Sequence, residues 1–163
     1  MKRIVLFTIF SVGCIAGASA QTDDAGVQRT DVPGPNYRLG LGVRLSNSTP
    51  TLNNSITGKY FVTDRSAVEG IISFGSRFGI GGLLEIHRPT NIEGLKWFYG
   101  AGAYVGFENS DTYLGPTGIL GIDYKFTNVP VNLSLDWKPE LDIIPDINFV
   151  PDAFALSVRF TLK

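Results

Sequence analysis

The chain has 163 residues, with 14 basic against 15 acidic side chains and 44% hydrophobic residues. So even a balance excludes the dense positive charge of a nucleic-acid binder. The one cysteine, Cys14, excludes an intramolecular disulfide, so stability has to come from backbone pairing and packing.

The first residues read as a leader. Lys2 and Arg3 precede an apolar run from Ile4 to Ile15, and Ala18, Ser19 and Ala20 precede the polar Gln21. This is the layout of a secretory signal peptide, 1–20, cleaved after Ala20. The apolar run is well short of the roughly 20 residues a spanning helix needs. A lipoprotein signal at Cys14 is the competing reading, but Ser11, Val12 and Gly13 lack the large aliphatic residue it would want. Without Lys2 and Arg3, 12 basic residues face 15 acidic ones. Residues 21–36, QTDDAGVQRTDVPGPN, have no period and are expected to be a flexible periplasmic segment.

From Tyr37 the hydrophobic pattern has period two and keeps it. Eight strands are expected at 37 to 46, 55 to 62, 67 to 75, 78 to 87, 95 to 108, 112 to 126, 131 to 138 and 152 to 162, with turn-formers between them. One face carries residues such as Leu41, Val43, Ile56, Ile72, Ile80, Leu84, Leu120, Ile122, Leu135 and Val158. The other carries the charges, among them Arg38, Arg44, Lys59, Glu69, Glu85, Lys96, Asp123, Asp136 and Arg159, interleaved with glycine.

A soluble barrel would turn the apolar face inward, and a membrane barrel would turn it outward to lipid. Three features favour lipid. Eight rows of bulky residues would overcrowd an interior only just wide enough for side chains. Glycine, suited to the crowded side, lies with the charges. Aromatic residues, namely Tyr37, Tyr60, Trp97, Tyr99, Tyr124, Phe126, Trp137 and Phe160, gather towards strand ends as two girdles about an aliphatic belt. The expected fold is an all-β, eight-stranded antiparallel up-and-down transmembrane barrel over 37–163, whose closure leaves no unpaired backbone edge in hydrocarbon.

The stretch YGAGAYVGF, residues 99–107, superficially suggests a phosphate loop. The dinucleotide fingerprint needs G-x-G-x-x-G in the turn between a strand and a helix. Here three residues separate Gly102 from Gly106, and the stretch lies inside one strand and precedes another.

With that stretch and the final strand FALSVRFTL, residues 37–163 resemble the small eight-stranded outer-membrane β-barrel proteins, of the OmpA transmembrane-domain or porin-like kind. The resemblance implies residence in the outer membrane of a Gram-negative envelope, contact with outer-membrane lipid and delivery by the barrel-assembly machinery. Members usually end on an aromatic residue; here Phe160 and Leu162 are in phase but Lys163 comes last.

Pairing strands about their turns places Lys59 near Glu69, Glu69 near Glu85 and Glu85 near Lys96, an alternating ring of four charges. Its two readings are a gate or proton path, and a plug of salt bridges, which the cost of an unpaired buried charge favours. His87, the only histidine, is expected at the periplasmic end with no serine beside it, which speaks against a triad hydrolase and against a metal site. The segment 139–152, PELDIIPDINFVPD, reads as a long external loop that either contacts a partner or folds over the mouth. The expected function is therefore a monomeric structural or surface-interaction barrel without cofactor, enzymatic activity, nucleic-acid binding or open pore. The alternatives are a soluble periplasmic or secreted lipocalin-like barrel holding an apolar ligand and, more remotely, an outer-membrane lipid-modifying enzyme.

Overall fold

The computed structural model describes residues 37–46, 50–151 and 153–163. The expected leader 1–20 and segment 21–36 lie outside the described residues. Eight antiparallel strands form the wall: β1 Leu39–Ser46, β2 Ser55–Phe61, β3 Ser66–Ser73, β4 Phe78–Pro89, β5 Leu95–Glu108, β6 Asp111–Lys125, β7 Val131–Trp137 and, last in the chain, β10 Phe154–Leu162. Each pairs with its sequence neighbours, and β10 returns to β1, so the sheet is closed.

Following the register once around measures the stagger of this closure. Asp123 faces Ser134, which faces Ser157, then Arg44, Ser55, Ser73, Gly79, Gly106 and finally Tyr113, back on β6 and ten residues from the start. Eight strands with this shear tilt by about 40° and leave an interior the width of packed side chains.

Alternation along each strand then sorts the residues. Leu41, Val43, Leu45, Ile56, Ile72, Ile80, Leu84, Leu120, Ile122, Leu135, Leu156 and Val158 are exposed on the outer surface, while Arg44, Lys59, Glu69, Glu85, Asp123, Asp136 and Arg159 are buried within.

Three details depart from the expected pattern. At the start of β1 the alternation slips by one residue: the backbone bends at Arg38, so Arg38 is exposed and Tyr37 is buried edge-on against Phe61 at 5.3 Å. Arg38 is therefore not a lumen charge and Tyr37 is not a girdle residue. The segment 139–152, expected to be a loop, contains a two-stranded hairpin, β8 Glu140–Asp142 and β9 Asn148–Val150, that pairs with β6.

The third departure is that Thr51 and Leu52, between β1 and β2, are buried inside the barrel. Leu52 is wholly buried there, in a cluster with Ile71, Leu83, Phe98, Tyr104 and Ile119. The glycines of β4 and β5 make room for it. A Cβ on Gly81 would stand 2.9 Å from a Leu52 methyl, and one on Gly79 would stand 2.7 Å from the Thr51 carbonyl oxygen. At Gly102 the reason differs: a Cβ there would fall 2.0 Å from the Gly82 carbonyl oxygen, a backbone atom that cannot yield. By contrast, a Cβ on the outward Gly82 meets nothing within 4 Å. Gly102→Ala should lower the urea midpoint of the folded barrel by the equivalent of about 1–3 kcal/mol, whereas Gly82→Ala should leave it unchanged. Equal behaviour of the two variants would contradict the close strand approach.

Candidate functional site

Among the described residues the buried polar and charged side chains gather in the interior, and the wall strands present them in two clusters. The first lies towards the end that carries the chain's C-terminus. Register sets Lys59 of β2 directly opposite Glu69 of β3, but the ion pairs run across the lumen. Lys59 Nζ lies 2.8 Å from Glu85 Oε2 and 3.9 Å from Asp123 Oδ2, and 4.3 Å from the centre of the Phe98 ring. Glu69 accepts hydrogen bonds from Arg159 Nη2 and Thr57 Oγ1. Arg159 also donates to Ser134 Oγ, and Asn132 Nδ2 donates to Asp123 Oδ1.

Lys96 stands apart from this cluster. It is half-buried and faces Pro89 and Asp123 in register, while Glu85 faces Gly100. Its ammonium lies 5.9 Å from the Phe61 ring centre, near the barrel end. Of the expected ring, Lys59, Glu69 and Glu85 do come together, with the two carboxyl groups in hydrogen-bond reach of each other, and only Lys96 stays out. The ion pairs run diagonally, Lys59 with Glu85 and Arg159 with Glu69, because strand tilt brings residues of non-neighbouring strands together across a narrow interior. Further along, Arg44 donates to Asp136 through both terminal nitrogens at 2.7 and 2.6 Å, a fully buried bidentate pair.

His87 is buried in the first cluster. Its Nε2 lies 2.9 Å from Glu85 Oε2 and its Nδ1 3.6 Å from Asp123 Oδ2, and the ring stacks on Phe98 at 4.9 Å. Phe98, Phe61, Glu85, Lys59 and Asp123 therefore surround the imidazole, and none of them is a nucleophile of the hydrolase type. Among the described residues no group of three or more His, Cys, Asp or Glu side chains could hold a metal ion.

The second cluster closes the opposite mouth. Arg77, from the β3–β4 turn, donates to Thr51 Oγ1 at 2.7 Å, lies 3.4 Å from both Asp142 oxygens and 3.5 Å from a Glu108 oxygen, and stacks 3.3 Å over Tyr113. Tyr104 donates to Asp142 Oδ1 at 2.8 Å. Glu140 accepts from the backbone N–H of Thr51 and of Leu52 at 3.3 and 3.0 Å, and lies 3.8 Å from Lys138 Nζ. Four connections are thereby tied together over the opening. Sequence reasoning missed this cluster, although a signal was present: Ser134, Asp136, Lys138, Glu140 and Asp142 continue the inward phase of β7 without a break through Pro139.

The girdle candidates do not divide evenly: Tyr60, Trp97, Tyr99, Tyr124, Phe126 and Phe160 lie towards the end that carries the C-terminus, and Trp137 alone towards the other. Tyr60, Trp97, Tyr99, Phe126 and Phe160 are exposed, and Tyr124 and Trp137 are half-buried. Trp137 Nε1 donates to the Pro151 carbonyl, and Tyr124 packs edge-on with Phe126 at 4.8 Å.

No protein-family model and no curated protein matches the chain, so the fold and the lumen carry the functional reading by themselves. They define an all-β, eight-stranded antiparallel closed barrel whose interior is filled by side chains and whose outer surface is apolar.

Glu69→Ala leaves the Arg159 guanidinium buried without its carboxylate, which should cost about 3–5 kcal/mol, and adding Arg159→Met should recover much of it. A folded gel band of unchanged heat resistance in Glu69→Ala would show that the pair does not hold the barrel.

Proposed function

We propose that the protein is a transmembrane barrel of a Gram-negative outer membrane, monomeric, with a structural or surface-interaction role. The observation that carries this reading is the inversion of the usual arrangement. Between the strand ends the outer surface presents large apolar side chains, with Leu84 at 67% and Leu45 at 58% exposure, while Arg44, Lys59, Glu69, Glu85 and Arg159 are at most 1% exposed. A belt this continuous far exceeds the isolated apolar patches of water-soluble monomers, and a closed sheet meets the bilayer's demand that every backbone group be paired.

The interior supports the rest of the reading. Diagonal ion pairs, the Leu52 plug and the tied mouth occupy the space through which ions would pass, which favours a closed barrel over a pore. The same filling weighs against a lipocalin-like carrier, whose apolar ligand would need an apolar cavity. The imidazole enclosed by Phe61 and Phe98 weighs against a lipid-modifying enzyme. Outer-membrane lipid is then the permanent partner and the barrel-assembly machinery a transient one. The connections around Arg77 supply the outward-facing surface for interaction.

Membrane fractionation tests the proposal: the protein should sediment with outer membranes and leave them only with detergent. Leu41→Arg, on the outer face, should destabilise the folded barrel by about 2–4 kcal/mol if it lies near the midplane. Wild-type protein that stays soluble and monodisperse without detergent would overturn the reading.

A further inference from the structure

We infer that the β8–β9 hairpin is a membrane-contacting part of the barrel wall, its outer face seated against the acyl chains of the external leaflet. The inference rests on the lipid-facing reading above and assigns an occupant to the apolar face within 139–152.

Register provides the first argument. Strand β6 pairs Leu120 with Trp137 of β7 and, three residues on, Thr117 with Glu140 of β8. The same line along β6 is followed without slip, so β8 is β7 resumed after Lys138 and Pro139. Side-chain phase is kept through β8: Glu140 and Asp142 are buried in the mouth, and Phe149 faces Leu141 across the hairpin on the opposite side. Beyond Asp142 the register slips by one residue, with the N–H groups of both Ile143 and Ile144 donating to the Leu114 carbonyl, and this bulge leaves Ile144 exposed beside the outward-facing Leu114.

Dimensions provide the second. The seven residues of β7, at about 3.3 Å each and a tilt of about 40°, rise only about 18 Å. The apolar band of a transmembrane barrel is about 25 Å tall. Carrying the strand on through Asp142 brings its rise to about 30 Å, enough to cross the whole band on this side.

Surface chemistry provides the third. Ile143, Ile144, Ile147 and Phe149 are all exposed, and Asp146 at the hairpin turn is the one charge among residues 143–150. This apolar surface is continuous through Leu114 with the outer belt. The hairpin cannot turn it away from the bilayer, because Glu140 is held by the Thr51 and Leu52 amides and Asp142 by Arg77 and Tyr104.

Site-directed spin labelling tests the inference in the full chain, with Cys14→Ser as background. Nitroxides are placed at Phe149→Cys and Ile144→Cys on the hairpin, at Leu84→Cys on the belt and at Asp111→Cys, the exposed first residue of β6 beside the β5–β6 turn, and the protein is reconstituted into phosphatidylcholine vesicles. Collision with oxygen, which concentrates in lipid, is compared with collision with a water-soluble nickel chelate. Positions 149 and 144 should resemble 84, with the oxygen-to-nickel ratio at least several-fold above that at 111. If 84 is lipid-exposed while 149 and 144 match 111, the hairpin stands in water and the inference fails with the belt intact. If 84 also matches 111, the lipid-facing reading itself fails. Two hairpin positions guard against one variant that does not fold.

Discussion

Charged side chains enclosed in a narrow barrel have to find their counter-charges inside it, and most of this structure answers to that requirement. Arg44, Lys59, Glu69, Glu85, Asp123, Asp136 and Arg159 cannot reach water from where the strands put them. An uncompensated buried charge costs several kcal/mol, and a paired one roughly breaks even. The pairs are thus less a source of stability than a condition on the sequence. Given the inward phase, Glu69 requires Arg159, Asp136 requires Arg44, and Lys59 requires Glu85.

Closure and packing meet the same condition from the backbone side. Eight strands leave an interior narrow enough for opposite walls to touch through their side chains, and the tilt set by a shear of ten residues brings residues of non-neighbouring strands to one level, which is why pairs form diagonally and not between register neighbours. Glycine at 102 lets two strands approach more closely than any side chain would permit, while glycines at 79 and 81 clear space for Thr51 and Leu52. What fills the interior also ties the far mouth, since Thr51 and Leu52 are the residues that Glu140 and Arg77 hold.

Much of the architecture was legible in the sequence, because period two over more than a hundred residues has few physical meanings. Strand β5 is found at the residues expected, and the other wall strands end within two residues of theirs. The misreadings arise where one residue decides. The slip at Arg38 exchanges Tyr37 and Arg38 between faces, and a local bend leaves no mark on hydrophobic periodicity. Leu52 sits in a run of Asn, Ser and Thr that gives no hint of burial. Pro139 marks a break that is real for the ladder but not for the line of the strand, and so concealed β8. Charge partners needed the shear, and shear depends on all eight registers at once.

The central claim is that apolar residues face lipid and charged residues fill the space within. One flotation measurement tests both halves: the protein is reconstituted into vesicles loaded with a small ionic dye, and these are spun through a density gradient. The account predicts that the protein rises with the vesicles and that they retain dye as well as protein-free vesicles do. Protein left at the bottom would contradict the lipid-facing surface, and vesicles that carry the protein but lose their dye would contradict the filled lumen.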